Sequence, residues 1–227
     1  MKHLLCLGDS LTDCGHLLSF PPYGNGYVRL LKERLEDWRL TNRGFDGFTV
    51  GRLLSLIERE GLPSSPDVIT ILIGINDVGL MMNTQRTSKQ KEEMVESFLL
   101  SYEELITILT SPRRRILLME PFIFHWPDWC RGWVPQLSLL SQGIRQLAAD
   151  HQLPYVQLQA FFEEQADALG VQALTTDGIH LTETGHRLLA DRLLPFLLSS
   201  NCPSSCEEGA VGLRSRGSDW PESLRER

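Results

Sequence analysis

Short apolar runs alternate along the chain with longer stretches in which apolar residues recur every three or four positions. The short runs are typical of strands buried on both faces, and the periodic stretches are typical of amphipathic helices. This alternation predicts an α/β fold, with a parallel sheet covered by helices on both faces. The predicted strands are His3–Leu7, Trp38–Asn42, Val68–Ile73, Arg115–Met119 and Tyr155–Leu158.

The clearest predicted helix follows Thr87, which forms a capping-box pattern with Gln90. Its apolar positions keep helical spacing up to Pro112 and are Met94, Phe98, Tyr102, Leu105 and Leu109. A second helix is marked by Leu137, Leu140, Ile144 and Leu147. A last helix is predicted to begin near Thr182, and Pro195 is expected to kink or end it.

Length and composition fit one medium-sized domain. The chain has 227 residues, of which 42% are hydrophobic and 22% charged, enough apolar material for a full core. From Asn201 onward the apolar periodicity stops, and Ser, Pro, Gly and charged residues dominate. We therefore expect one domain over 1–200 and a disordered tail over 201–227.

Charge and cysteine content limit the environment and the partners. Twenty-nine acidic against 22 basic residues give a net charge of -7, so nucleic acid is not an expected partner. The apolar run Leu4–Leu7 is too short for a signal peptide, and no later run approaches the roughly 20 residues that span a membrane. Five scattered cysteines favour reduced thiols. We expect a cytoplasmic protein without stable membrane insertion; the sequence does not indicate its oligomeric state.

Polar and small residues directly follow three of the predicted strands. They occupy 8–13 after the first strand, 42–47 after the second and 74–77 after the third. In an open parallel sheet, ligands bind beyond the carboxyl ends of the strands, where loops and helix N-termini converge. Candidate chemistry is therefore expected at these three strand ends.

A serine, an aspartate and a histidine are available to act together. Ser10 follows the first strand, and Asp177 and His180 stand three residues apart before the last predicted helix. A serine hydroxyl becomes a good nucleophile when an imidazole removes its proton and a carboxylate orients that imidazole. The sequence predicts Ser10 as nucleophile, His180 as base and Asp177 as the orienting carboxylate.

Acyl transfer also needs hydrogen-bond donors for the developing oxyanion, and losing one such donor costs roughly 3 to 4 kcal/mol of barrier. The candidate donors are the backbone N–H groups of Ser10 and Gly44 and the side-chain amide of Asn76. Gly44 lacks a Cβ and would allow its backbone to approach the substrate closely. Asn76 would supply a neutral donor.

Four sequence blocks resemble a known family. GDSLTDCG at 8–15, NRGFDGFT at 42–49, GIND at 74–77 and DGIHLTETGH at 177–186 are similar, in this order, to the motif blocks of the SGNH (GDSL) hydrolases. The resemblance implies a flavodoxin-like three-layer α/β/α sandwich with a five-stranded parallel sheet. It also implies an esterase, thioesterase, lysophospholipase or carbohydrate deacetylase activity. The family name refers to Ser10, Gly44, Asn76 and His180, and the third member of the triad maps to Asp177.

Each candidate residue also has an ordinary structural explanation. Ser10 on its own could cap a helix, and His180 could be a surface histidine. Asp177 stands beside a glycine, a common turn arrangement. Gly44 could serve a tight turn and Asn76 a cap, and both roles are compatible with catalysis. The order of all five residues along the chain favours the catalytic interpretation.

Metal and cofactor sites are not predicted. Asp9, Asp13 and Asp77 form a carboxylate-rich set, but no histidine joins them at ligand spacing. Hydrogen bonding to nearby turns is the expected role of Asp9 and Asp77. Cys202 and Cys206 have no second Cys or His pair that would complete a zinc site.

The segment 121–133 (PFIFHWPDWCRGW) follows the fourth strand and should overhang the same edge of the sheet as Ser10. Two interpretations stay open for its aromatic residues. They could line an acyl or sugar pocket, or they could pack on the domain as a small satellite core. His125 is expected to be structural or a pocket wall.

The predicted function is hydrolysis of small-molecule carboxylic esters through an acyl-enzyme. Short acyl groups, such as the acetyl esters of sugars or small alcohols, are expected because the chain has no evident lid or long apolar insertion. A thioesterase or lysophospholipase acting on longer chains is one alternative. A non-catalytic binding module that retains the fold is another. A dinucleotide-binding protein is not expected, because no G-x-G-x-x-G follows the first strand.

Overall fold

The computed structural model describes residues 1–63 and 65–199. Five parallel strands form one sheet in the order β2-β1-β3-β4-β5. The strands are β1 His3–Gly8, β2 Arg39–Gly44, β3 Val68–Leu72, β4 Arg115–Met119 and β5 Tyr155–Val156. The expected tail over 201–227, with Cys202 and Cys206, lies outside the described residues.

Eight α-helices are described in these ranges. They are α1 Ser10–Asp13, α2 Tyr27–Arg34, α3 Val50–Glu60, α4 Ile75–Met82, α5 Ser88–Leu109, α6 Val134–Asp150, α7 Gln159–Leu169 and α8 Glu183–Leu198. None of the helices in the described part of the chain is long and apolar enough to cross a membrane.

The helices form two layers because successive strand residues point to opposite faces of the sheet. On one face, residues such as Leu5 and Ile69 pack with α3, α5 and α6 in one buried cluster. On the other face, residues such as Leu4 and Val68 pack with α2, α7 and α8. The predicted α/β/α sandwich with a five-stranded parallel sheet is confirmed, and its strand order is that of flavodoxin-like folds.

The start of α5 and the end of α8 test the sequence signals for helix termini. The capping box of Thr87 and Gln90 is present at the start of α5. The expectation that Pro195 kinks or ends α8 is wrong as regards its end, since the helix continues to Leu198. Pro195 lies in the last turn, and the Arg115 guanidinium donates to the carbonyls of Phe196 and Ser199 at 2.6 and 2.8 Å. A cation at the last carbonyls stabilises a helix C-terminus.

Several strand ends differ from the prediction by one residue, and the ends of β2 and β5 differ by two. β2 runs to Gly44 instead of ending at Asn42, so Gly44 pairs with Gly8 in register. β5 ends at Val156 instead of Leu158. The carboxylate of Glu120 accepts the backbone N–H groups of Leu158 and Gln159 at 2.7 and 2.9 Å, and these groups cannot continue the ladder.

The chain first places β2 on one side of β1 and then β3 on its other side. The order in which strands are added to the sheet therefore reverses between β1 and β3. Gly8, at the end of β1, lies between Gly44 of β2 and Leu72 of β3. A crevice forms at the carboxyl ends of the strands where the strand order reverses. The loops after β1, β2 and β3 therefore meet at one edge of the sheet.

Candidate active site

Ser10 is the first residue of α1, immediately beyond the end of β1. Asp9, not Ser10, is the N-cap of this helix, because its carboxylate accepts the Leu11 N–H at 3.1 Å. The Ser10 hydroxyl lies 2.9 Å from Nε2 of His180. The helix-capping explanation of Ser10 is therefore wrong, and its side chain is engaged with the histidine.

The backbone around Ser10 is tightly packed against its neighbours. A Cβ on Gly44 would lie 2.2 Å from the backbone nitrogen of Asp13, and one on Gly8 would lie 2.5 Å from the Leu72 carbonyl oxygen. Such distances leave no room for any side chain. The tight-turn explanation of Gly44 is wrong, because this glycine is the last residue of β2 and lets β2 touch α1.

Asn42, in β2, links this strand to α1 and to the loop before α2. Its buried amide nitrogen donates to the carbonyls of Thr12 and Tyr23 at 2.6 and 2.9 Å. Its amide oxygen accepts the Gly44 N–H at 2.9 Å. The sequence places Asn42 in a motif block but does not indicate its role, because these contacts involve carbonyl groups distant in sequence.

Asn76 lies in the first turn of α4, next to the end of β3. Its amide nitrogen donates to the Phe48 carbonyl at 3.0 Å. A side-chain amide carries two hydrogens, so this contact orients the group and leaves one hydrogen for another acceptor. The neighbouring Asp77 carboxylate accepts the Val50 N–H at 3.2 Å and fixes the start of α3.

The loop 175–181 carries Asp177 and His180. The loop is closed by an isolated antiparallel bridge between Thr175 and Leu181. One carboxylate oxygen of Asp177 accepts the backbone N–H groups of Ile179 and His180 at 2.9 and 2.8 Å. The other oxygen lies 2.7 Å from Nδ1 of His180. Asp177 is thus both the turn residue and the partner of the imidazole.

Gly178 anchors this loop to the segment that follows β4. Its φ is +96°, in the region that favours glycine, and its carbonyl accepts the Phe124 N–H at 2.9 Å. A Cβ here would lie 2.3 Å from Sγ of Cys130 and 2.5 Å from the carbonyl oxygen of Trp126. An aspartate–glycine pair indicates a turn, but it does not reveal this packing.

Burial sets the protonation of the carboxyl groups behind the site. It raises the pKa of Asp9 to about 7 and that of Asp77 to about 7. For Asp177, burial acts to raise the pKa, but the hydrogen bonds from His180 and Ile179 outweigh it and leave the pKa below its ordinary value. Asp177 is therefore ionised at neutral pH, as an orienting carboxylate must be.

Different aromatic residues of the segment 121–133 fit the satellite-core and the pocket interpretations. Phe122 and Phe124 are buried and contact Phe162 in the core, as expected of a satellite core. Trp126 lines a surface cavity, as expected of a pocket. Trp133 packs within 3.2 Å of the position a Cβ on Gly79 would take, one turn beyond Asn76 in α4.

The residues singled out in the sequence thus meet at one edge of the sheet. Ser10, His180 and Asp177 form a continuous hydrogen-bonded series with distances of 2.9 and 2.7 Å. Gly44 ends β2 and Asn76 follows β3, the two strands that flank β1. In residues 1–63 and 65–199, no group of three or more His, Cys, Asp or Glu side chains could hold a metal ion.

The chain is similar to several known proteins. The model of the GDSL-like Lipase/Acylhydrolase family matches residues 6–188. An acetylxylan esterase of Geobacillus stearothermophilus is 30% identical over 206 residues, covering 85% of this chain and 92% of the relative. An isoamyl acetate-hydrolyzing esterase of Saccharomyces cerevisiae is 23% identical over 216 residues, covering 86% of each protein.

Solved structures show the same similarity. A crystal structure of a catalytic mutant of the Geobacillus stearothermophilus acetylxylan esterase matches with a TM-score of 0.74 at 27% identity, covering 88% of this chain and 95% of that one. In that enzyme, catalytic mutants have been made at a serine, an aspartate and a histidine, and the aspartate precedes the histidine by three residues.

Proposed function

Because this chain belongs to the GDSL-like lipase/acylhydrolase family and is an ester hydrolase, we propose that it cleaves short-chain carboxylic esters with Ser10 as the nucleophile. The observation that carries the proposal is the series of contacts from Ser10 to His180 and from His180 to Asp177. The aspartate and histidine stand three residues apart, as in the acetylxylan esterase.

Acylation begins when Ser10 Oγ attacks the ester carbonyl carbon. Asp177 accepts the Nδ1–H of His180, which leaves the Nε2 lone pair directed at the serine hydroxyl. His180 takes the serine proton as the new C–O bond forms, and the ionised Asp177 stabilises the resulting imidazolium. The tetrahedral intermediate then collapses, and His180 gives this proton to the departing alkoxide, which leaves as an alcohol.

Deacylation repeats the same chemistry with water. His180 removes a proton from water, and the hydroxide oxygen attacks the acyl carbon of the Ser10 ester. Collapse of this second intermediate breaks the bond to Ser10 Oγ and releases the carboxylic acid. His180 returns the proton to Ser10, and the free enzyme is restored without a cofactor.

Three donors are proposed for the oxyanion. The Ser10 backbone N–H stands at the first position of α1, where helix N–H groups have no intrahelical partner. Asn76 offers its second amide hydrogen while the first stays on the Phe48 carbonyl. The Gly44 N–H already donates to Asn42, so it serves the oxyanion by sharing its hydrogen between two acceptors.

Hydrolysis of p-nitrophenyl acetate tests the proposal. Ser10→Ala should lower kcat by at least about 10³-fold, because the nucleophile is lost and only substrate binding and the oxyanion donors remain. Its thermal unfolding midpoint should stay close to that of the wild type. Turnover within tenfold of the wild type would falsify the assignment.

The acyl group is proposed to be short, and acetyl esters of sugars or small alcohols are the first candidates. The two named relatives, an acetylxylan esterase and an isoamyl acetate-hydrolyzing esterase, support this proposal. A series of p-nitrophenyl esters measures the preference directly, with kcat/KM expected to be highest for acetate or propionate. A maximum at eight carbons or more would favour a long-chain lysophospholipase or thioesterase instead.

A non-catalytic binding module is distinguished by covalent labelling. An alkyl fluorophosphonate should modify Ser10 in the wild-type protein, since the probe phosphonylates activated serines with loss of fluoride. Ser10→Ala should remain unlabelled. A wild-type protein that neither reacts with the probe nor hydrolyses aryl acetates would support the binding module.

A further inference from the structure

Residues 15–24, between α1 and α2, form a loop with an exposed apolar surface. Leu17, Leu18 and Phe20 are 72%, 95% and 99% exposed, and the two prolines after Phe20 are exposed as well. Elsewhere in the described part of the chain, no stretch of four residues exposes three large apolar side chains. Single exposed apolar residues are ordinary, whereas a contiguous group indicates an interaction surface. We call residues 15–24 the apolar loop.

The two ends of the apolar loop are held together next to α1. The N–H of Asn25 donates to the Cys14 carbonyl at 2.9 Å, and the Cys14 N–H donates to the Ser10 carbonyl at 3.1 Å. The side-chain amide of Asn42, in β2, donates to the Tyr23 carbonyl at 2.9 Å. The apolar loop therefore projects from the same edge of the sheet as Ser10.

Polar side chains hold the apolar loop from within. His16 is buried, and its Nδ1 lies 2.8 Å from a carboxylate oxygen of Asp13. The Ser19 hydroxyl donates to the His16 carbonyl at 3.1 Å and accepts the Gly24 N–H at 3.0 Å. These polar groups are turned toward the protein, while the three large apolar side chains are turned toward the outside. Apolar surface presented in this way gains free energy when it leaves water.

The charge of this region restricts what the apolar loop binds. Residues 14–28 contain no Asp, Glu, Lys or Arg, whereas the whole chain has a net charge of -7. Moving a charge into an apolar phase is costly, so a segment without charges can enter one. The net negative charge disfavours an anionic surface. An uncharged apolar phase fits both properties.

The size of the exposed surface distinguishes a lipid from a protein partner. The three large apolar side chains expose on the order of 500 Å² in total. A stable protein–protein interface buries about 800 Å² per partner, from about 20 to 30 residues. Reversible binding to a lipid surface requires less, because its strength scales with the apolar area that enters the interfacial region. The size of the surface therefore favours lipid over a second protein chain.

We propose that the apolar loop docks the protein reversibly on an uncharged lipid surface, with Leu18 and Phe20 entering the interfacial region. Docking places the edge of the sheet that carries Ser10 next to the lipid. This inference goes beyond ester hydrolysis, and it does not depend on Ser10 being the nucleophile.

Co-sedimentation with vesicles tests the proposal. The full-length protein is mixed with sucrose-loaded vesicles of palmitoyl-oleoyl-phosphatidylcholine, and the sedimented fraction gives a partition coefficient. We expect the wild type to sediment with the vesicles. The Leu18→Gln/Phe20→Gln double variant should have a partition coefficient at least about tenfold lower, because less apolar area is removed from water. Replacing part of the lipid with phosphatidylglycerol should not raise binding, since the apolar loop has no cation to attract it.

Leu100→Gln is the matched control. Leu100 is 59% exposed on α5, which packs on the opposite face of the sheet from α2. The same chemical change at this position should leave the partition coefficient within about twofold of the wild-type value, because a single exposed leucine forms no contiguous patch. Thermal unfolding midpoints close to that of the wild type in both variants separate lost binding from lost folding.

The remaining outcomes overturn the proposal. They are a wild-type protein that stays in the supernatant, an equal loss of binding in Leu100→Gln, and binding that needs phosphatidylglycerol and is unchanged in the double variant. Light scattering without vesicles tests a second copy of the chain as the occupant. An oligomer that the double variant dissociates would assign the apolar loop to contacts between copies. Vesicle binding needs no turnover, so a protein that binds vesicles but hydrolyses no ester overturns the proposed function alone.

Discussion

Ser10 and His180 face each other, yet different interactions hold them in place. Around Ser10, the backbone of β2 packs directly on the backbone of α1, because the position of Gly44 has no space for a side chain. Around His180, whose side chain is 47% exposed, the loop depends on hydrogen bonds to Asp177 and on contacts of Gly178. Substitutions near Ser10, the proposed nucleophile, should therefore lower stability. Substitutions near His180, the proposed base, should lower activity with little loss of stability.

The largest expected effect tests the base side of this contrast. Asp177→Asn keeps an oxygen for the backbone N–H groups of Ile179 and His180 but turns an amide NH₂ toward His180 Nδ1. The ring must then carry its proton on Nε2, where it cannot accept the proton of Ser10. We expect kcat for p-nitrophenyl acetate to fall by about 10⁴-fold.

The same variant should unfold at nearly the wild-type temperature, since the Asp177 side chain is about half exposed. A large drop in the unfolding midpoint would show that the loop belongs to the cooperative core, and the contrast between the two sides would be lost.

The next prediction concerns the nucleophile side. In Gly44→Ala the new Cβ would lie 2.2 Å from the Asp13 nitrogen, so either β2 or α1 has to shift. We expect the free energy of unfolding to decrease by about 3 kcal/mol, at the upper end for overpacked sites. Chemical denaturation measures this change.

Gly51→Ala is the matched control for that substitution. A Cβ at Gly51 meets no atom within 4 Å, and the residue lies inside α3. Alanine favours the helix over glycine by up to about 1 kcal/mol, so this variant should be slightly more stable than the wild type. Similar losses in both variants would remove the evidence for backbone contact at Gly44.

A smaller effect is expected from Gly178→Ala. The new Cβ would meet Cys130 and Trp126, and the loop bearing His180 would move. A displacement of about 1 Å costs on the order of 10²-fold in rate. Gly170→Ala supplies the control, because its φ of +83° imposes similar backbone strain while no atom lies within 4 Å. Equal kcat values for the two variants would contradict a role for this contact.

The smallest expected effect concerns the buried carboxyl group beside the nucleophile. The pKa of Asp9 is raised to about 7, so between about pH 4 and pH 7 the folded chain holds a proton that the unfolded chain has released. The free energy of unfolding therefore decreases as pH rises through this window. Asp9→Asn removes this contribution and should be more stable than the wild type at pH 8, on the order of 2 kcal/mol.

The advantage of Asp9→Asn should vanish below pH 4, where Asp9 is protonated in both states. Asp77 still titrates in the same range, so the slope is reduced, not abolished. Asp128→Asn, with its side chain fully exposed, is the control and should change little. A constant difference between Asp9→Asn and wild type at all pH values would rule out this explanation.

The sequence predicts the sheet and the contacts among the proposed catalytic residues. It predicts less well the contacts that hold these residues in position. The five strands and the capping box of α5 follow from apolar spacing and local hydrogen bonding, which short windows of sequence contain. Ser10, Asp177 and His180 were found because their order and spacing are sequence properties.

The contacts that position these residues could not be predicted in the same way. These contacts are the hydrogen bonds of Asn42, the packing of Gly44 on Asp13 and the packing of Gly178 on the Trp126 carbonyl. All of them involve backbone atoms of segments distant in the chain. Backbone atoms look the same at every residue, so only the assembled fold reveals which of them approach. For the same reason, the sequence does not reveal that the missing side chain of Gly44 also makes room for α1.

The anchoring of α8 has a practical consequence for immobilisation. Arg115, the first residue of β4, binds the carbonyls of Phe196 and Ser199, and Ser199 therefore lies at the amino-terminal edge of the sheet. Ser10 lies beyond the carboxyl edge, on the opposite side of the domain. A support attached close to Ser199 would face the back of the domain and leave the ester-binding edge open to the solution.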